Sequence, residues 1–308
     1  MEIFKKLTVL KDKYPRLVVA LGMFDGVHIG HQSIIRRAVE LARECDGKCL
    51  VFTFSNHPRE IFAPDSCPPA IHSPRLRQQL MAELSVDLYM AIPFTPAFAK
   101  HTPEEFMAML QSHFAPRYVV TGPNYTFGRG GKGSDRLLMR CGQDYGFQAE
   151  ICPAVLRDGH AVSSTRIRKL ILAGNLAKAE EFLGRPFTVL GRVRHGDQRG
   201  RTIGYPTANL DIPEGRVMLP NGVYAAETIY DGQHYTGLAN IGDNPTFEGC
   251  YRRLEVHILG FQGDIYDQLL EVRFRAQLRD EIKFPGVGAL VAQMHKDEAQ
   301  TRQLAARW

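Results

Sequence analysis

The sequence predicts an α/β domain built on a parallel sheet, followed by a mostly antiparallel β-barrel domain and a C-terminal helix. Three observations predict it. From the start to about residue 184, continuous apolar runs alternate with helical patterns, the signature of a parallel sheet covered on both faces. Beyond Pro186, strand and turn signals follow one another with no helix between them until the chain closes, as in a small barrel or sandwich. A chain of 308 residues also exceeds ordinary single-domain size. Two domains, 1–184 and 185–308, are expected, each with enough apolar sequence for its own core.

LVVALGMF (17–24) reads as the first buried strand, and the 3.6-residue period from Ile34 through Leu41 as the helix after it. CLVFTFS (49–55), LYMAIPF (88–94) and YVVTGP (118–123) read as further buried strands. In parallel sheets ligands bind beyond the carboxyl ends of the strands. The turn GMFDGVHIGH, the Asn56-His57-Pro58 turn and the loop from Gly122 to Gly133 all fall on that rim. In 162–187, Ser163 or Ser164 caps a helix that stops at Gly174, and Asn175 caps a second that stops at Gly184. Pro186 then ends the helical regime. GVYAAETIY, Asp231-Gly232 and QHYTGLANIG form strand, tight turn and strand, and RRLEVHILGFQGDIYDQLLEVRF repeats the arrangement around a glycine-containing turn. An amphipathic helix is expected from about Ala289 to Ala306.

Composition narrows the function. No apolar stretch is long enough to cross a bilayer, and the start, MEIFKKLTVLKDKY, lacks a signal-peptide core, so a cytoplasmic protein is expected. Cysteines 45, 49, 67, 141, 152 and 250 show no metal spacing and read as free thiols. The net charge of +5 is dispersed, with no basic run interleaved with aromatics. It favours small phosphorylated ligands, with no nucleic-acid and no membrane partner expected.

The turn at 22–31 carries the first chemistry. His28-Ile29-Gly30-His31 passes from strand to helix, where backbone N–H groups and the helix dipole favour an anion and imidazoles can donate to phosphate oxygens. A cap or a surface residue is the plainer reading of either histidine. Glycines 22, 26 and 30 do not have the dinucleotide spacing, and Gly131-Lys132 is followed by Gly133 where a P-loop needs Ser or Thr. The turn resembles the HIGH signature of nucleotidylyltransferases. A second anion site is written in Ser163-Ser164-Thr165-Arg166-Ile167-Arg168, whose plainer reading is a capped helix with solvated arginines. Arg166 and Arg168, two apart, cannot face the same way.

Together, GMFDGVHIGH, FTFSNHPRE (52–60), TGPNYTFGRGGKG (121–133) and VSSTRIR resemble the adenylyltransferase domain of the bifunctional bacterial riboflavin kinase/FAD synthetases. The resemblance implies that His28 and His31 hold the triphosphate while the FMN phosphate attacks the α-phosphorus in line. Gly22, Phe24, Gly26 and Asn124 would contribute to the nucleotide site. Ser164, Thr165 and Arg168 would grip the leaving pyrophosphate, with Arg168 rather than Arg166 matching the superfamily's arginine. Asn56, where proline is common, and Tyr125-Thr126, where Phe-Arg is usual, depart from the pattern and bear on the acceptor's placement.

In the second half, VRHGDQRGRTIGYPTANL (193–210) joins a glycine- and arginine-rich loop to Pro206-Thr207-Ala208-Asn209. If that end is extended, Thr207 and Asn209 share a face and can offer two oxygens to one magnesium ion, although a surface loop feeding a strand is the plainer reading. In RLEVHIL (253–259), Leu254, Val256 and Ile258 take one face and Arg253, Glu255 and His257 the other, which alone makes Glu255 a solvated residue. The strings look like the PTAN motif and the catalytic-glutamate motif of riboflavin kinases. The resemblance then makes Glu255 the base, Thr207 and Asn209 magnesium and nucleotide ligands, and Gly196 part of the nucleotide loop. NIGDNPTF (240–247) and LRDEIKF (278–284) resemble family segments too, the second supplying Arg279 to the flavin or a lid; Asp267 stands where glycine is common. The implied reactions convert riboflavin and ATP to FMN, then FMN and ATP to FAD, with Mg2+ in both. The competing readings are a nucleotidylyltransferase for another acceptor and a flavin-sensing binding protein without turnover.

Overall fold

The computed structural model describes residues 1–196, 200, 203–211, 215–246 and 249–308, with the side chains of 244–246 and 249–251 excepted. Parts of the expected loop at 197–202, Phe247 and the Cys250 thiol therefore lie outside the described residues. The chain forms two compact units: Met1–Pro68 with Pro74–Ser164, and Pro69–Ser73 with Thr165–Trp308. The division between these units falls between Ser164 and Thr165, and five residues of the first half join the second unit.

The first unit is built on six parallel strands: β1 (Glu2–Phe4), β2 (Leu17–Leu21), β3 (Lys48–Phe54), β4 (Leu88–Ile92), β5 (Tyr118–Thr121) and β6 (Gln148–Ile151). Their order is β1-β4-β3-β2-β5-β6. All five residues of β2 are buried, as are all five of β4, which is why their sequences read as unbroken apolar runs. No residue of the edge strands β1 and β6 is fully buried, and neither strand carries such a run. Strand β2 pairs with β3 on one side and β5 on the other. The chain leaves β2 toward β3 and returns later to β5, so β2 and β5 flank the point where the winding direction reverses. Helix α1 (Ile29–Glu44) follows β2 and buries Ile34, Ile35, Ala38, Val39, Leu41 and Ala42. Arg37 ties it to β6 through Glu150, at 2.6 and 3.2 Å.

The second unit begins with helices α2 (Ser164–Leu172, whose first residue lies in the first unit) and α3 (Leu176–Leu183). Asn175 caps α3 by accepting from the Lys178 N–H, and Gly184 ends it in the left-handed conformation. Six strands then close into a barrel: β7 (Phe187–Arg194), β8 (Ala208–Leu210), β9 (Gly222–Tyr230), β10 (Gln233–Thr246), β11 (Gly249–Ile258) and β12 (Leu269–Arg279). The order around it is β7-β8-β11-β10-β9-β12, all antiparallel. Asp231 and Gly232, both at positive φ, turn β9 into β10 as a two-residue hairpin.

The second expected hairpin is corrected. β11 pairs with β8 and β10, while β12 pairs with β7 and β9, so 259–268 connects two strands that are not neighbours. Closure of the barrel places β12 on the far side of β9, and the connection is too long for a tight turn. The chain closes with helix α4 (Val287–Ala305).

Candidate active sites

In the first unit, the turn from β2 to α1 holds a conformation that its sequence does not favour. Phe24 (φ 50°) and Val27 (φ 40°) lie in the left-handed region with Gly26 (φ 84°), and for a β-branched valine this is strained. Surrounding bonds hold the turn there. Thr53 Oγ1 and Arg77 Nη1 donate to the Met23 carbonyl at 3.2 and 3.3 Å, Ser164 Oγ to that of Asp25 at 2.8 Å, and Gln32 Nε2 to that of Val27 at 2.9 Å. Phe24 is fully buried, and Gly22 makes room for it: a Cβ there would stand 2.9 Å from the Phe24 ring.

The turn sets two imidazoles face to face. His28 is the N-cap of α1, its Nδ1 accepting the His31 N–H at 3.2 Å. That acceptance puts the ring proton on Nε2, which makes Nε2 a donor. The His28 and His31 rings stack at 3.6 Å and 18°, with Phe24 edge-on to His31 at 5.3 Å. A Cβ at Gly30 would come within 3.2 Å of the His28 ring, so glycine admits the stack. No acidic residue occupies the first turn of α1, so the helix itself sets no carboxylate against the positive end of its dipole. Asn124 stands across the reversal point on the loop after β5, exposed and at φ 60°, its N–H bound to Asp135 Oδ2 at 3.0 Å.

Ser164 thus joins the histidine turn directly. Thr165 and Arg168 belong to the second unit, where Arg168 is buried and its Nε donates to the Pro69 carbonyl at 2.7 Å. Arg166 lies over the Phe182 ring at 5.3 Å, so the two arginines point to different surroundings.

The departures have physical roles. Asn56 exchanges two hydrogen bonds with the backbone of Phe94, at 2.7 and 3.1 Å, and so ties the loop after β3 to the loop after β4. Beside it lies an aromatic group absent from the sequence reading: Phe94 packs against Phe54 at 4.9 Å and Phe62 at 5.8 Å, and the Phe62 side chain is 66% exposed. Tyr125 stacks on Phe127 at 6.0 Å, and burial pushes its phenol pKa up. Asp267 adopts φ 58°, which explains a glycine preference, and its carboxylate binds Arg194 at 2.9 Å.

In the barrel unit, the ladder sets Asn209 opposite Glu255, with Arg194 beyond Asn209 and Asn240 beyond Glu255. Leu254 and Val256 are fully buried, and Glu255 lies on the other side of the strand. That side is not open surface. Glu255, Thr207, Asn240, His257 and Arg279 line a cleft of about 660 Å3 whose other wall includes Leu290, Met294 and Asp297 of α4. A second cavity of about 520 Å3, lined by Val193, Ala208, Val256, Ile258 and Tyr266, also reaches Thr207, so Thr207 stands where the two meet.

Arg253 Nη1 binds Glu255 Oε1 at 3.0 Å, and Arg279 forms a pair with the buried Asp297 at 2.9 Å. Gly196 lies against Asn209: a Cβ there would stand 2.2 Å from Asn209 Nδ2. Asn209 Oδ1 is buried and meets no hydrogen-bond donor among the described residues. Two neutral oxygens, one of them without a donor among the described residues, fit a hard cation, which they would hold beside the phosphates. Among the described residues no cluster of three His, Cys, Asp or Glu side chains is arranged for a metal. Arg253, Asn240, Tyr205 and Asp297 were missed by sequence reasoning. Asp297 signals itself only as an acid on the buried face of a helix.

Fold and sites together define a two-domain transferase, a nucleotidyltransferase-like parallel-sheet unit followed by a kinase barrel. The FAD synthetase family matches residues 10–166 and the riboflavin kinase family residues 183–305. A bifunctional riboflavin kinase/FMN adenylyltransferase of Escherichia coli K12 is 37% identical over 289 residues, 93% of this chain and 92% of that one. Its counterpart from Pseudomonas fluorescens is 36% identical over 308 residues, covering 99% and 98%. A crystal structure described as a macrolide-efflux protein from Streptococcus pneumoniae superposes with a TM-score of 0.86 at 35% identity, covering 98% of this chain and 99% of that one. No helix among the described residues here is long and apolar enough to cross a membrane. The chain belongs to the bifunctional riboflavin kinase/FMN adenylyltransferase family.

Proposed function

We propose that the barrel unit phosphorylates riboflavin with ATP to give FMN and ADP, and that the parallel-sheet unit then adenylylates FMN with a second ATP, releasing pyrophosphate and FAD. The observation that carries the first step is the position of Glu255 opposite Asn209, in one cleft with Thr207 and Arg279. Glu255 orients the flavin's attacking hydroxyl and takes its proton, with Arg253 holding the carboxylate. Thr207 and Asn209 would hold Mg2+, which would supply positive charge to offset that of the ATP phosphates. Because Thr207 borders both cavities, the nucleotide occupies the one lined by Val193 and Ile258, and the flavin lies against α4 near Arg279.

For the second step, the stacked His28 and His31 donate to the triphosphate as charge builds at the α-phosphorus. No covalent intermediate is needed, only placement and charge stabilisation. Asn124 borders the nucleotide, and Ser164, whose Oγ donates to the Asp25 carbonyl of the same turn, binds the departing pyrophosphate. The exposed Phe62 beside Phe94 and Phe54 offers a flat aromatic acceptor a stacking surface. Small molecules suffice as partners, without nucleic acid or membrane, and the reactions belong in the ATP-rich cytoplasm.

Incubating the full chain with riboflavin, ATP and Mg2+, then separating FMN from FAD by chromatography, tests the reading. Both products are expected, and chelating the metal should stop their formation. Flavin binding without any product would favour the sensor, and FMN without FAD would point to another acceptor for the first unit.

A further inference from the structure

Tyr205 directly precedes the Pro206–Asn209 segment and is only 5% exposed, although its side chain ends in a hydroxyl. A buried phenol needs a hydrogen-bond partner. Here it meets α4 twice, at His295 Nδ1 (2.8 Å) and at Glu298 Oε2 (3.4 Å). Arg302 occupies the other carboxylate oxygen, Oε1, at 2.8 and 3.0 Å, which turns Oε2 toward the tyrosine. One proton pattern satisfies all three groups: His295 Nδ1–H donates to the phenol oxygen and the phenol donates to Glu298. Burial and the Glu298 charge both push the phenol pKa up and keep that proton in place.

The same segment is gripped from its other side. The ladder between β8 and β11 covers only Ala208–Leu210, so Pro206 lies beyond its end. The His257 side chain takes over there, its Nδ1 donating to the Pro206 carbonyl at 2.7 Å, with its ring 5.0 Å from that of Tyr205. Gly200 completes the seat: its carbonyl accepts the Tyr205 N–H at 2.8 Å, and a Cβ there would come within 2.2 Å of the Tyr205 carbonyl oxygen.

We infer that Tyr205 is a positioning residue for phosphoryl transfer, its hydroxyl fastening the Pro206–Asn209 segment to α4 through His295 and Glu298. Resting on the kinase reading above, it ties the wall that carries Leu290 and Met294 to the side that carries Thr207. Loss of the hydroxyl loosens the metal and nucleotide ligands without touching Glu255. KM for Mg-ATP therefore rises while kcat changes little.

The experiment is steady-state FMN formation by full-length Tyr205→Phe at saturating riboflavin and varied Mg-ATP, with FAD formation from supplied FMN as the control. KM for Mg-ATP is expected to rise about three- to tenfold, the scale of one hydrogen bond, with kcat within about twofold and the control unchanged. His295→Ala removes the other end of the bond from an exposed residue, and is expected to give a similar KM shift that the double variant does not double. If Tyr205→Phe does not fold, His295→Ala carries the measurement alone. An unchanged KM, a loss confined to kcat, or fully additive effects of the two substitutions overturns the inference. Absence of FMN formation in the parent chain overturns the kinase reading instead.

Discussion

Replacing His28 by asparagine separates two duties that one side chain performs in the histidine turn. As N-cap, His28 accepts the His31 N–H at 3.2 Å; as one of two stacked imidazoles, it offers Nε2 to the triphosphate. Asparagine ranks among the best N-caps but has no imidazole to stack or donate from, so His28→Asn keeps the first duty and abolishes the second. Losing the cap, as in His28→Ala, costs about 1 kcal/mol, which lowers Tm by about 2–4 °C in a unit of this size. Against a stability of about 5–15 kcal/mol, that loss leaves nearly every molecule folded and cannot slow the reaction appreciably. Losing a donor to transition-state charge costs about 2.7–4 kcal/mol, or about 100- to 1000-fold in rate. Both variants should therefore lose FAD formation by about a hundredfold or more, while only His28→Ala loses Tm. The assay is FAD formation from supplied FMN and ATP, with riboflavin phosphorylation as the internal control and calorimetry for stability. FAD formation by His28→Asn within about threefold of the parent would make the imidazole a cap and nothing more.

Glu255→Gln keeps the size of the side chain and removes the base. FMN formation should fall by about two to four orders of magnitude while supplied FMN is still converted to FAD, and a rate within about threefold of the parent would return Glu255 to a solvated role. Gly196→Ala puts a Cβ 2.2 Å from the Asn209 amide. It should raise KM for Mg-ATP in the kinase step and cost about 1–3 kcal/mol as overpacking; unchanged Mg-ATP dependence would show that Asn209 is not a ligand.

The parallel sheet was legible because its central strands are buried on both faces, so Leu17–Leu21 and Leu88–Ile92 appear as unbroken apolar runs. The edge strands Glu2–Phe4 and Gln148–Ile151 bury too little to leave that trace. In the barrel, alternation located β11 correctly but could not say which neighbour it pairs with, since register and order depend on closure rather than local pattern. The same limit applies to Glu255. Its alternation marks it as outward-facing, and only the packing of α4 turns that face into a cleft. Asp297 and Thr301 are the buried residues of α4, where periodicity calls for apolar ones, because the helix is fastened through Arg279 as well as by apolar contact. Positive φ at Phe24 and Val27 left no sequence signal either, since neither residue type favours it.

Where the kinase unit can be cut follows from its packing. The sequence break at Pro186 suggests 186–308 as a self-sufficient piece, yet α3 precedes it and packs on β7 and β12. Its Leu176 is 6% exposed, and Phe182 and Leu183 are fully buried. At about 1.5–3 kcal/mol for each such side chain, their removal withdraws about 5–9 kcal/mol as an upper bound, comparable to the whole stability of a domain. Fragment 186–308 is therefore expected to lack a cooperative thermal transition and to phosphorylate riboflavin poorly. Fragment 165–308, which restores α3 and all of α2 but its first residue, should fold and turn over. It should still melt below the full chain, because it lacks Pro69–Ser73, which docks on the unit through Ala70 N–H to Gly215 O (2.8 Å), Val217 N–H to Ala70 O (3.0 Å) and Arg216 to His72 O (2.6 Å). Calorimetry and riboflavin phosphorylation on the two fragments decide the matter. A cooperative transition in 186–308 with turnover within about threefold of the full chain would make the helices dispensable and put the functional boundary at 184/185.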